Sequence, residues 1–179
     1  DVLLIALLTL LNGVFAMSEL ALASSRKSRL LAMAESGDKG AKAALDLLSN
    51  PTQFLSSIQV GITSIGMLNG IFGEAAFSDG LAQSLITWGM PASFASVVAT
   101  TTVIIVITFM TIVFGELVPK RIGQMYPEAS SRLIALPLTW VSRIAKPFVW
   151  LLAISAQGVL RLLRIKDESD RAVTEEEIV

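Results

Sequence analysis

The chain has 179 residues, of which 53% are hydrophobic and 16% are charged, and its mean hydropathy is +0.67. Soluble domains carry about a quarter charged residues, so this composition predicts an integral membrane protein. The sequence contains no cysteine and no histidine, which excludes disulfides, thiolate metal sites and the usual zinc and serine–histidine chemistries. The net charge of −1 indicates nothing about partners, but the lack of a basic stripe bearing aromatic residues argues against nucleic-acid binding. No nucleophile–base pair or cofactor loop stands out, so we do not expect an enzyme.

Residues 2–23, VLLIALLTLLNGVFAMSELALA, form the first predicted membrane span. They have neither a basic n-region nor a clear small-residue cleavage site, so we interpret them as a membrane helix rather than a signal peptide. Residues 25–49 carry five Lys or Arg between leucines and acids, a pattern that predicts amphipathic helices at the membrane surface. The polar residues of the first span are Thr9, Asn12, Ser18 and Glu19.

Residues 52–77 form the second predicted span, which is rich in small and polar residues. Gly66 and Gly70 make a G-x-x-x-G pair, a known helix-packing device. We expect a span this polar to lie inside a bundle, where its hydroxyls and glycines either bind a substrate or only pack helices. A loop is predicted at 78–92, which has no basic residue. The polar residues of the span are Gln59, Thr63, Ser64 and Asn69.

The third predicted span, residues 95–121, ends in the motif G-E-L-V-P-K. An acid at the end of an apolar span is costly and indicates a function. Because Pro119 has no N–H, the carbonyl of Gly115 loses its helical partner and must be satisfied elsewhere. This carbonyl and the Glu116 carboxylate are hard oxygen donors, the kind that a small divalent cation selects. The alternative is a simple ion pair between Glu116 and Lys120, which are four residues apart.

Residues 126–166 are apolar in bulk but contain three prolines and several basic residues. We predict kinked amphipathic helices here rather than a fourth crossing. Three crossings, with the N-terminus outside and the C-terminus in the cytoplasm, place all fourteen Lys and Arg on the cytoplasmic side, as the positive-inside rule favours. The polar residues 167–179 are predicted to be a linker into a soluble domain.

This topology brings the polar residues of all three spans to the inner half of the membrane. Packing requirements alone would scatter such residues in depth. We therefore predict an all-α membrane domain with a cation site between three spans and a helix kink at Pro119. The candidate ligands are Ser18, Glu19, Gln59, Thr63, Ser64, Gly115 and Glu116.

The ordered set of F-A-M-S-E-L-A-L at 15–22, Q-V-G-I-T at 59–63, G-E-L-V-P-K at 115–120 and T-E-E-E-I at 174–178 resembles the CorC/cyclin M (CNNM) family of magnesium transporters. The resemblance implies a homodimer of three-span protomers with a juxtamembrane helical belt. It also implies a cytoplasmic pair of CBS domains after the linker. ATP would bind only to these domains. Mg²⁺ would be the exported ion and Na⁺ the coupling ion.

Under this resemblance Gly115 and Glu116 match the acidic motif of the family, and positions 16–19 match its polar first span. Ala16 stands where a serine is common, and Glu19 adds a second acid. These forms are closest to bacterial branches, which implies the bacterial inner membrane. One such branch is associated with the export of polyamines such as cadaverine and putrescine. Three hypotheses therefore stay open: a Mg²⁺ exporter, a polyamine exporter, and a non-transporting anchor or sensor for CBS domains.

Overall fold

The computed structural model describes residues 2–163, in which every regular element is a helix. The predicted linker at 167–179 and the last residues of the predicted 126–166 belt lie outside this range. The prediction of an all-α membrane domain is confirmed. The helices are α1 (Val2–Ser24), α2 (Lys27–Glu35), α3 (Lys39–Ser49), α4 (Pro51–Thr87), α5 (Ala92–Ile112), a π-helical turn (Val113–Leu117), α6 (Val118–Met125) and α7 (Pro127–Leu162).

Three helices of the described chain are long and apolar enough to cross a membrane. They are α1, α4 and the unbroken helix Ala92–Met125, which joins α5, the π-helical turn and α6. At 1.5 Å per residue, a helix of about 20 residues spans the hydrocarbon core. The spans α4 and Ala92–Met125, with 37 and 34 residues, therefore extend beyond it.

The predicted loop at 78–92 is wrong, because α4 continues as a helix to Thr87. Leucine, alanine and glutamine in this stretch favour the helix, and a single Gly80 is tolerated. The helix ends where Gly89 adopts a positive φ of 96°. There the N–H groups of Gly89 and Met90 bond the carbonyls of Ile86 and Leu85, which is a glycine-terminated helix end. Only Trp88–Pro91 then separate α4 from α5.

The amphipathic segments fold into α2, α3 and α7, which gather around the end of α1 and the start of α4. Asp38 caps α3 by accepting hydrogen bonds from the backbone N–H groups of Gly40 and Ala41 at 2.8 and 3.0 Å. Its other carboxylate oxygen accepts a hydrogen bond from Arg132 of α7 at 3.0 Å. The α7 helix is continuous through Pro137 and Pro147, so the predicted belt on this side is one long helix.

The main apolar core lies where these surface helices meet α1 and α4. Each helix contributes small or aliphatic side chains on one face, which is how amphipathic helices bury area. The core thus joins α1 and α4 to the surface helices, and no described residue of the third span belongs to it. Its members include Phe15, Leu22, Leu30, Ala44, Phe54, Ile58, Ile134 and Leu138.

Candidate functional site

The third span widens into a π-helical turn just before Pro119. The N–H of Val118 bonds the carbonyl of Val113, five residues back. Pro119 supplies no N–H, so the Gly115 carbonyl has no donor in the usual helical position. Asn12 of α1 fills this vacancy: its Nδ2 donates to the Gly115 oxygen at 2.9 Å, and both groups are buried. The freed carbonyl is therefore held by a side chain from another span.

Close contact between α1 and the third span depends on glycines. A Cβ at Gly115 would lie 3.1 Å from Asn12 Nδ2 and 3.2 Å from the Thr9 carbonyl oxygen. A Cβ at Gly123 would lie 2.5 Å from the Met17 carbonyl oxygen, closer than real atoms approach. The absence of side chains at these positions lets a span backbone pass directly against α1.

A second buried amide joins all three spans at this level. Asn69 of α4 donates from Nδ2 to Thr9 Oγ1 of α1 at 2.9 Å and to Thr111 Oγ1 of α5 at 3.2 Å. Thr9 and Gly115 are in turn neighbours, as their backbone contact shows. We call this set of uncharged groups the neutral layer: Thr9, Asn12, Asn69, Thr111 and the Gly115 carbonyl.

The neutral layer contains two amide oxygens that lack a donor. Asn12 and Asn69 are 2% and 0% exposed, and their Oδ1 atoms have no hydrogen-bond partner among the described residues. Leaving such an acceptor unpaired costs about 1–3 kcal/mol, so each one requires an explanation. A cation ligated by such an oxygen would satisfy it, because amide and carbonyl oxygens are hard ligands.

Three charged side chains form a separate group beside this layer, which we call the charged cluster: Glu19, Glu116 and Lys120. The Lys120 ammonium donates to Glu116 Oε1 at 2.7 Å and lies 3.4 Å from Glu19 Oε2 of α1. The ion pair considered from the sequence therefore exists. It also extends to a second acid on a different span, so Glu116 is not isolated from α1.

The other predicted ligands occupy different environments. Ser18 is buried but donates to the Phe15 carbonyl of its own helix at 2.6 Å. Gln59 lines a cavity of about 520 Å³ together with Glu19 and with residues of α7. Thr63 and Ser64 are exposed on α4. The structure thus places Glu19 and Glu116 around Lys120, next to Gly115, and leaves Thr63 and Ser64 on the surface.

The structure adds four side chains that were not among the predicted ligands. Thr9, Asn12 and Asn69 stand out in the sequence as polar residues within spans, and Thr111 is one of several threonines in the third span. Their spacing alone does not indicate a contact, since helix rotation decides which face meets which. In residues 2–163 no group of three or more acidic side chains comes together. A cation held here would therefore bind largely through neutral oxygens.

Comparison with known proteins gives one family match over almost the whole chain. The Cyclin M transmembrane N-terminal domain (CNNM) matches residues 2–179. A UPF0053 protein of Synechocystis sp. is 40% identical over 97% of this chain, and the UPF0053 protein YhdP of Bacillus subtilis is 33% identical over 99%. A protein of Escherichia coli K12 named polyamine export protein is 32% identical over 99%.

The chain spans about 40% of the length of these relatives, with 39% of the first and 40% of the other two covered. The match therefore concerns the membrane part that they share. Three apolar helices and an all-helical fold agree with it. The chain belongs to the cyclin M transmembrane (CNNM) family.

Proposed function

We propose that this chain is the membrane domain of a secondary transporter that exports Mg²⁺, with the neutral layer holding the ion. The observation that supports this most is the pair of buried amide oxygens without donors, at the level of the Gly115 carbonyl. They come from two different spans, so relative movement of these helices would change the coordination. A binding site of that kind can be loaded from one side and emptied to the other.

Mg²⁺ prefers six oxygens near 2.1 Å and gives up its water reluctantly. The neutral layer offers amide, hydroxyl and carbonyl oxygens, and retained water would complete the shell. Glu116 follows Gly115 directly and supplies the negative charge that attracts a dication. Na⁺ entry, the driving force that the family resemblance implies, is part of the same proposal.

A second candidate is the export of a polyamine. Its supporting observation is that a primary ammonium, that of Lys120, already lies between two carboxylates at 2.7 and 3.4 Å. A diammonium substrate presents the same chemical group. Relatives at 30 to 32% identity are named polyamine export proteins.

The proposal includes a homodimer in the bacterial inner membrane, with the N-terminus outside and the C-terminus in the cytoplasm. One face of α4 supports the dimer: Gln59, Thr63 and Met67 are exposed on it. Next to them, Gly66 and Gly70 have no neighbour within 4 Å of a built Cβ. A polar face with small residues suits another helix better than lipid.

Basic residues around α2 and α3 support the orientation. ATP would act only through CBS domains outside this chain.

The test is flux from liposomes that contain the full-length protein, with Mg²⁺ and radiolabelled putrescine measured in parallel. We expect the wild type to move Mg²⁺ and Glu116→Gln to lose this flux, because the substitution removes the charge beside the neutral layer. Glu35→Gln is the matched control, since Glu35 is an exposed acid of the surface helix α2.

The outcomes separate the candidates. Putrescine flux without Mg²⁺ flux would replace the first candidate by the second. Flux of neither substrate by the wild type would contradict both, and would leave the role of an anchor or sensor. Full Mg²⁺ flux by Glu116→Gln would remove Glu116 from the mechanism.

A further inference from the structure

Lys120 is the one basic side chain that contacts acids of two spans among the described residues. Its ammonium lies 2.7 Å from Glu116 Oε1 on its own helix and 3.4 Å from Glu19 Oε2 on α1. The three side chains are each about one-quarter to one-third exposed, at 27% for Lys120, 25% for Glu19 and 35% for Glu116. The cluster is therefore partly open rather than sealed in a core.

The contact with Glu19 is an ion pair without a hydrogen bond. Glu19 Oε2 is fully buried and has no hydrogen-bond partner among residues 2–163. Its nearest compensation is the Lys120 charge at 3.4 Å. An ammonium held by one good hydrogen bond and one looser contact can leave at a lower cost than one held by several. On the other side, Glu19 borders the cavity lined by Ser56 and Gln59, so a cation can approach it there.

The charges of the cluster decide which occupants are compatible. Two carboxylates and one ammonium leave a net charge of −1, whereas two bare carboxylates in a membrane domain would leave −2. Uncompensated buried charge is strongly unfavourable. A dication neutralises both acids by itself, and would repel Lys120 if the lysine stayed in place. Lys120 and a dication are therefore alternative partners of the same two acids.

We infer that Lys120 is a tethered counter-ion that exchanges with the substrate dication. This inference rests on the proposed function and names a residue that controls its cycle. When the dication enters the neutral layer and Glu19 and Glu116 balance its charge, the ammonium swings away along its flexible stem. When the dication leaves, the ammonium returns and neutralises the empty cluster. Because the ammonium then compensates the two acids, the empty transporter can return to its starting conformation, and net transport continues.

The dication class covers Mg²⁺ and a diammonium such as putrescine, because both present two positive charges. The experiment therefore runs each of them on the full-length protein in liposomes, in two modes. Net efflux into substrate-free buffer requires the empty transporter to return. Exchange of labelled for unlabelled substrate across the membrane does not, since the site is always refilled before it moves.

For Lys120→Gln we expect net efflux to fall at least about tenfold, because the empty transporter must return with two bare acids. A tenfold fall corresponds to an additional barrier of about 1.4 kcal/mol for this step. Exchange should stay within about twofold of the wild type, and the apparent affinity for the dication should rise because its competitor is gone. Lys120→Arg should keep most net efflux, because it keeps the charge between the two acids. Arg121→Gln is the matched control, since it removes one positive charge from an exposed neighbour.

Two results would overturn the inference while leaving the proposed function intact. One is wild-type net efflux by Lys120→Gln, which would show that the return step needs no lysine. The other is an equal loss of net efflux and exchange in protein that remains folded, which would make Lys120 a purely structural residue. A wild type that transports neither dication would instead overturn the proposed function itself.

Discussion

The neutral layer and the charged cluster share α1 and the third span, yet their physical character differs. The neutral layer is buried apart from the partly exposed Thr9, and its amide nitrogens are fixed by hydrogen bonds between spans. The charged cluster is partly exposed and is held together by a flexible lysine. Under the proposed function, the hydrogen-bonded layer would fit the ion by geometry, and the charged cluster would balance its charge.

The largest effect should come from breaking the neutral layer with Asn69→Leu. Leucine has a similar size but removes both the donors to Thr9 and Thr111 and the unpaired oxygen. The two threonine hydroxyls can bond to carbonyls of their own helices instead, so the fold should persist. We expect the affinity for Mg²⁺ to fall about 100-fold, as measured by isothermal titration calorimetry on the full-length protein.

The matched control for this substitution is Ser64→Ala. Ser64 lies on the same helix and was predicted as a ligand from sequence, but the structure exposes it. The Mg²⁺ affinity of Ser64→Ala should stay within about twofold of the wild type, because substitutions of exposed residues have small effects. An unchanged affinity of Asn69→Leu would contradict the assignment of the neutral layer as the ion site.

A smaller effect should follow from separating α1 and the third span with Gly123→Ala. The new Cβ would lie 2.5 Å from the Met17 carbonyl oxygen, and because that atom belongs to a backbone, a helix must shift. Overpacking of this kind costs about 1–3 kcal/mol, which should appear as a lower melting temperature. The shift should also move Lys120 away from Glu19 and reduce net efflux.

Gly80→Ala provides the control for that experiment. Nothing lies within 4 Å of a Cβ built at Gly80, and alanine favours the helix by up to about 1 kcal/mol over glycine. Thermal stability should therefore be unchanged or slightly higher. Equal destabilisation by both substitutions would show that the loss of stability does not come from the close contact at Gly123.

The smallest effect is expected at Asp38, whose charge pair lies in the surface helices rather than in a span. Hydrogen bonds from the N–H groups of Ala41 and Gly40, together with Arg132, hold the pKa of the Asp38 carboxyl below its ordinary value. A lowered pKa in the folded state means that the stabilisation is present above the unfolded pKa of about 4 and is lost as the pH falls through the folded value.

Asp38→Ala should therefore lower the melting temperature by only a few degrees at neutral pH, because the side chain is partly exposed and its ion pair with the exposed Arg132 is screened by water. The difference from the wild type should vanish in a thermal scan taken well below pH 4. Arg132→Gln should cause a smaller loss, because the two backbone hydrogen bonds of the cap remain. A difference that persists at low pH would contradict the role of the ionised carboxylate.

Local chemistry made part of the site predictable. Pro119 cannot donate a hydrogen bond, so a free carbonyl at Gly115 follows from covalent structure alone. An acid next to it in an apolar span indicates function, because a charged side chain is costly to place there. The identity of the group that takes the carbonyl was not predictable, because Asn12 is 103 residues away and the rotation of α1 is set by packing.

The end of α4 shows the opposite case. A stretch without basic residues and with a few polar ones predicts a loop from 78 to 92, yet α4 continues to Thr87. The stop signal was present in the sequence as Gly89 followed by Pro91. Hydropathy marks the part of a helix that lies in lipid, and it does not mark where the helix ends.

The sequence by itself determined that the chain is a three-span helical membrane protein with a freed carbonyl beside an acid, because hydropathy, charge placement and proline act locally. Only the tertiary structure decided which oxygens share a layer and that one lysine serves two acids. Those contacts depend on how the helices are rotated and how closely they approach. Glycines such as Gly115 and Gly123 permit the close approach, but the periodicity of a single helix does not specify its neighbours.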